Sequence, residues 1–185
     1  MTELTARAVA YCLSEEAIVQ EAYLDSENKW TWAGGVTDAS GHYVERYRDN
    51  PQPLERCLEV TVWLMRQKYL PPVLRAFSGY ALAEHQLAAA LSFHWNTGAI
   101  GTTQWVRDVK AGRRTMARAF LENHYLNHGD LKARRLREAA LFFERKWPGD
   151  IRVPVYPVRK PGYRPDFARG RRSDMTALIE KALAA

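Results

Sequence analysis

The sequence predicts an α+β fold: a small N-terminal lobe with an antiparallel β-sheet, a long connecting helix, a helical lobe, and an extended basic C-terminal appendage. Three observations carry this expectation. Residues 23–50 set Asn28, Gly34, Gly35, Asp38, Gly41, Asp49 and Asn50 between short aromatic and β-branched stretches, the texture of strands and turns. Residues 54–146 space their apolar positions by three and four, the helical period. Past Gly149 the texture changes again: residues 151–185 hold four of the nine prolines and 8 Lys/Arg against 3 Asp/Glu. A length of 185 residues suits one domain, or two small lobes sharing a core.

Residues 2–13 carry small and apolar side chains at helical spacing and form a first helix, with Thr2 placed to cap it and Glu3 in its first turn. Trp30-Thr31-Trp32, Val36-Thr37 and His42-Tyr43-Val44 read as the strands of the small sheet. Trp30 and Trp32 alternate, so one faces the core and the other a cleft. Pro51 and Pro53 open a long helix on which Leu54, Cys57, Leu58, Thr61, Val62, Met65 and Tyr69 form one buried stripe. Pro71-Pro72 ends or kinks it. Residues 84–95, rich in Ala and Leu, make another helix that stops at Asn96-Thr97-Gly98. Thr102 or Thr103 caps the next, which runs through Val109 with Gly112 after it. A helix over residues 115–125, a break at His128-Gly129-Asp130 and a helix over residues 131–146 capped by Asp130 follow. Ser173 is placed to cap a short last helix.

Composition narrows the chemistry. No apolar run approaches the roughly 18 residues of a membrane span, and Met1-Thr2-Glu3 lacks the basic start of a signal peptide. Two cysteines, Cys12 and Cys57, make neither a disulfide scaffold nor a four-ligand zinc site, and they read as two free buried thiols. The five histidines show no ligand spacing, and no cofactor is expected. Net charge is +6, but unevenly placed: residues 1–60 hold 5 Lys/Arg against 11 Asp/Glu, and residues 61–185 hold 22 against 10. The basic remainder favours a polyanionic partner. No helix-turn-helix or RNA-binding motif is present, so nucleic acid is not the expected one.

The acidic first third supplies the candidate chemistry. Glu16 lies near the end of the first helix, Asp25 nine residues on where the chain enters the sheet, and Thr31 six further. An acid, a carboxylate and a hydroxyl from three local elements can line one edge of a cleft, and two carboxyls in unlike surroundings can divide acid and base work.

The stretch from Glu16 to Asp25, followed by Thr31-Trp32-Ala33-Gly34-Gly35-Val36-Thr37, resembles the signature of the phage-type lysozymes, glycoside hydrolase family 24. That signature reads Glu, eight residues, Asp, five residues, Thr, with an aromatic two before the Asp and a glycine turn after the Thr. Residues 87–98, ending in Asn96-Thr97-Gly98, resemble the family's core helix. Residues 131–142, with Arg134, Arg135 and Glu138, resemble its Leu-x-x-Arg-Arg-x-x-Glu-x-x-Leu-Phe helix. The three matches span residues 14–146. The chain departs from the pattern at Ala17 and Ala33, where glycine is common, and at Val36, where histidine is frequent.

The resemblance implies a lysozyme-like fold, with residues 1–150 as the catalytic domain around a cleft and residues 151–185 as a basic extension. It implies hydrolysis of the β-1,4 bond between N-acetylmuramic acid and N-acetylglucosamine in bacterial peptidoglycan, with inversion and without metal or cofactor. Glu16 is then the general acid. Asp25 is the ionised partner that, with Thr31, positions water; inversion places the carboxyls about 6.5–9.5 Å apart. Arg134 or Arg135 orients the acid, and Trp30, Trp95, Asn96 and Arg135 contact substrate; Trp95 alternatively belongs to the core. The implied setting is an endolysin, monomeric, accumulating in the cytoplasm of an infected host and reaching the wall once the membrane is opened. Two other readings stand beside it: a non-catalytic wall-binding module and a lytic transglycosylase. The extension either holds anionic wall or outer-membrane polymers or straps Tyr156, Tyr163 and Phe167 onto the helical lobe.

Overall fold

The computed structural model describes residues 3–185, which divide into two compact units. Residues 4–68 and 150–185 form a sheet unit, and residues 69–149 form a helical unit. The boundary expected at residue 150 is thus redrawn: the C-terminal stretch is structurally part of the first unit.

The first helix, α1 (Ala6–Glu16), begins later than its pattern suggests. Thr2 lies outside the described residues, and the cap is Thr5, whose hydroxyl accepts the Ala8 amide at 3.2 Å. The middle of α1 is buried all round, with Val9, Tyr11, Cys12 and Leu13 fully enclosed. The helix ends at Ala17, whose φ of 94° and ψ of 168° turn the chain directly into β1 (Ile18–Leu24). Strand β2 (Trp30–Ala33) returns antiparallel to β1 with Tyr23 opposite Thr31, and β3 (Val36–Thr37) pairs with β2. Of the two alternating tryptophans, Trp32 is the one in the core, fully buried with its indole N–H on the Gln20 carbonyl at 3.0 Å.

His42-Tyr43-Val44 is not a strand. The Val44 amide donates to the Asp38 carboxylate at 2.8 Å, and the His42 ring stacks with those of Trp32 and Tyr47, both at 5.7 Å. A side chain therefore takes the bond a ladder would have used.

Both positions where the chain replaces a common glycine, Ala17 and Ala33, have positive φ, at 94° and 50°. A side chain there crowds the following carbonyl. Ala17→Gly and Ala33→Gly are each expected to raise unfolding stability by about 1 kcal/mol, the relief of strain exceeding the entropy that glycine adds to the unfolded chain. Urea unfolding midpoints check this.

Helix α2 (Leu54–Leu64) carries the expected buried stripe, with Cys57, Leu58, Thr61 and Val62 at its centre. Among the described residues Cys12 and Cys57 form no disulfide, and burial pushes the Cys57 thiol up to about 12. Pro71 and Pro72 supply no N–H, so the regular ladder cannot pass through them. The chain answers with a π-helical turn at Met65–Tyr69 before α3 (Leu70–Ala76).

The helical unit continues with α4 (Glu84–Thr97), ended by Gly98 at φ 66°, then α5 (Gln104–Lys110), α6 (Arg114–Asn123) and α7 (Lys132–Glu144). The N-cap position of α7 is Leu131; Asp130 already lies in helical backbone, so it does not cap. Phe77, Phe93, Trp105 and Phe142 meet in an aromatic core with ring centroids 5.2–5.9 Å apart.

Past Gly149 the chain re-enters the sheet unit. Strand β4 (Val153–Tyr156) pairs parallel with β1, setting Ile18 beside Val155. A two-stranded ribbon follows, β5 (Val158–Arg159) with β6 (Arg164–Pro165), and then β7 (Arg171–Ser173) closes antiparallel on β4. The sheet order is β3-β2-β1-β4-β7. Helix α8 (Thr176–Ala184) packs on α1 and α2, with Met175 and Ile179 buried. Residues 151–185 are therefore no loose appendage, and the unit on which they are strapped is the sheet unit. No helix among the described residues is long and apolar enough to cross a membrane.

Candidate active site

Glu16 is the last residue of α1 and Asp25 the first after β1, so the sharp turn at Ala17 and the seven-residue strand set their separation. Both line one cavity of about 620 Å³ in the sheet unit, with Tyr23 between them in sequence. The β1–β2 loop is built around Asp25. Its Oδ1 accepts the amides of Glu27 and Lys29, both at 2.9 Å, and its backbone N–H donates to the Lys29 carbonyl at 3.0 Å. Its Oδ2 lies 3.3 Å from the Thr31 hydroxyl, which also reaches the Lys29 carbonyl at 3.2 Å. Thr31 is only 4% exposed and is not among the cavity's lining residues; it stands behind Asp25.

Tyr23 is a residue that the sequence reading passed over except as the aromatic of the signature. Burial, and then the charges of Glu16 and Asp25, push its hydroxyl well above its ordinary value. It remains a neutral phenol beside the two acids.

The opposite wall of the cavity comes from the C-terminal stretch: Tyr156, Arg159, Arg164 and residues 165–168. This stretch also grips the Asp25 loop. The Leu24 amide donates to the Tyr163 carbonyl at 2.7 Å, and Arg164 Nη1 donates to the Leu24 carbonyl at 3.0 Å. The same guanidinium bonds the Asp25 carbonyl and the Asn28 side chain. Lys160 pairs with Asp49 and, at 2.7 Å, with Glu21, which raises its ammonium and holds the Asp49 carboxyl below the usual range.

The other expected substrate residues are placed differently. Trp30 is half-buried, but its ring meets Tyr163 edge-on at 5.4 Å and lies under Arg48; it is not among the lining residues of this cavity. In the helical unit Trp95 stacks on Tyr69 at 4.6 Å and is partly exposed. Arg135, expected at substrate, is fully buried: its guanidinium donates to Asn96 Oδ1 and Glu138 Oε1, both at 3.0 Å. Arg134 lies 6% exposed beside it, donating to Glu138 at 3.0 Å and to the Ser92 carbonyl at 2.9 Å, while the Ser92 hydroxyl donates to Glu138 at 2.7 Å. A buried carboxylate needs such partners, so this cluster is the polar core of the helical unit. Arg135 is accordingly reassigned from substrate contact to that core.

Among the described residues no three His, Cys, Asp or Glu side chains form a metal-holding group. The arrangement in the sheet unit offers instead two carboxyls, one of them held by three donors, on a shared cavity: the equipment of proton transfer and charge stabilisation.

Comparison with known proteins agrees in direction. A family model for phage lysozyme matches residues 14–138. Among solved structures, an endolysin from Escherichia coli O157:H7 phage FAHEc1 is similar at 19% identity, covering 80% of this chain and 97% of that one, with a TM-score of 0.65. A mutant P22 lysozyme is similar at 19% identity over 77% of this chain and 99% of that one, TM-score 0.62. The muramidase domain of SpmX from Asticaccaulis excentricus is similar at 23% identity over 77% and 98%, TM-score 0.58. No curated protein sequence matches the chain.

Proposed function

Because the chain belongs to the phage lysozyme family, and is thereby a glycoside hydrolase of peptidoglycan, we propose that it cuts the β-1,4 bond between N-acetylmuramic acid and N-acetylglucosamine by direct displacement. Glu16 is the general acid: its carboxyl proton passes to the glycosidic oxygen as the bond to the anomeric carbon breaks. Asp25 is the carboxylate that stabilises positive charge developing at that carbon. A water held by Asp25 attacks from the opposite ring face, and its proton leaves to the carboxylate. Thr31 acts from behind, fixing one Asp25 oxygen with its hydroxyl.

The observation that supports this reading best is the placement of Glu16 and Asp25 on one cavity, with the Asp25 loop held by its own amides. The biological role follows the same reading: an endolysin that meets the wall after the membrane is breached and lyses the host cell.

The discriminating experiment is NMR of freshly cut peptidoglycan, read before the sugar ends mutarotate. Inversion of a β bond delivers N-acetylmuramic acid ends in the α configuration. Ends born in the β configuration would instead require a covalent intermediate, and anhydro ends without new reducing sugar would make the protein a transglycosylase.

A further inference from the structure

The cavity beside Glu16 has a wall that the matched region does not supply: the family match stops at residue 138, while Tyr156, Arg159, Arg164 and Phe167 all line the cavity. We propose that this wall is a subsite for the peptide that muramic acid carries, in which the Arg159 guanidinium binds a stem-peptide carboxylate; the proposal rests on the glycan lying across Glu16 and Asp25.

Three observations converge on Arg159. First, it stands opposite Arg164 in the β5–β6 ribbon. Like charges facing each other across two strands are unfavourable, so each needs an acceptor of its own. Arg164 has one in the carbonyls of Leu24 and Asp25 and in Asn28. The Arg159 guanidinium makes no hydrogen bond or ion pair with any described residue, although it is neighboured by Lys160, which is paired twice. Asp166 lines the same cavity without forming an ion pair to it. Second, Phe167 is 73% exposed and stands edge-on to Tyr156 at 5.0 Å, an aromatic surface open to the cavity. Third, the ligand chemistry matches. Stem peptides carry free carboxylates on a short apolar backbone, and a guanidinium beside an aromatic face binds such groups well. A neutral sugar offers oxygen acceptors but no counter-charge, so the carboxylate is the stronger partner for this cation.

The test compares native peptidoglycan with the same material after carbodiimide conversion of its carboxylates to amides, using wild-type protein, Arg159→Gln and Arg159→Lys. Release of reducing ends gives KM and kcat for each pair. For the wild type, amidation is expected to raise KM about fivefold, the scale of a partly exposed charged hydrogen bond. Arg159→Gln is expected to raise KM about fivefold on native material, with amidation adding less than twofold, and Arg159→Lys to recover most of the loss. Equal sensitivity of wild type and Arg159→Gln to amidation overturns the proposal, as does an unchanged KM in the variant. Failure of the underlying reading shows separately: Asp25→Asn would then cut both materials as fast as wild type, and the subsite would fall with it.

Discussion

Glu16→Gln is expected to lower reducing-end release about a thousandfold while leaving the unfolding midpoint nearly in place. Glutamine keeps the size and the hydrogen-bonding reach of the acid but carries no proton it can surrender at neutral pH. The bond must then break without protonation of the leaving oxygen. Glu16 sits half-buried at the last turn of α1, beyond that helix's buried stretch, so the isosteric change asks little of the core. The neighbouring Glu15→Gln is the control: Glu15 is half-buried too but does not line the cavity, and activity should stay within about twofold. Full activity in Glu16→Gln would remove it from the mechanism. Glu21 would be a poor replacement, because it lines a different cavity and is held by Lys160.

Deleting residues 150–185 is expected to abolish cooperative folding of the sheet unit. Val153, Val155, Met175 and Ile179 are each no more than 4% exposed, and burying one such side chain stabilises by about 1.5–3 kcal/mol. Losing four of them matches the whole margin of a typical domain, about 5–15 kcal/mol. The deletion also strips α8 from α1 and α2 and leaves β1, paired with β2 alone, as an open edge strand. A shortened chain should therefore lose its near-ultraviolet circular dichroism and precipitate on heating. A truncated protein that melts cooperatively at the original midpoint, and merely binds walls more weakly at high salt, would restore the appendage reading.

The contrast between the two ends of the sheet shows what a sequence discloses. Trp30-Thr31-Trp32 and Val36-Thr37 alternate and are joined by a short turn, so their pairing is local and legible. Val153-Pro154-Val155 is a three-residue run with a proline in it, which normally demotes a strand. Its partner β1 lies more than 130 residues earlier, and nothing in the intervening pattern announces the pairing. At the site, spacing and resemblance singled out Glu16, Asp25 and Thr31 as candidates; Arg164 and Tyr163 read only as parts of the basic extension, because they reach the Asp25 loop from the far end of the chain. Arg135 misled because charge on a helix usually means solvent. A signal was present, since Arg134, Glu138 and Phe142 fall on one helical face, but Ser92, the hydroxyl that completes the cluster, is 46 residues away. The two alanines at glycine positions were visible as departures, and the positive φ at both gives them a physical meaning.

The parallel pairing of β1 with β4 has a consequence in time. A ribosome delivers the helical unit as one uninterrupted stretch, 69–149, able to consolidate as soon as it emerges. The sheet unit is delivered in two instalments. Glu16, Asp25 and Thr31 are made before the helical unit, yet the strand that flanks β1, the arginine that grips the Asp25 loop and the helix that covers α1 are translated only after the whole of it. While the nascent chain grows, the carboxyls wait in an unfinished fold. The cavity they share closes only when the ribosome has delivered residues 150–185, so a fragment released early by a stalled ribosome carries every candidate acid and no site.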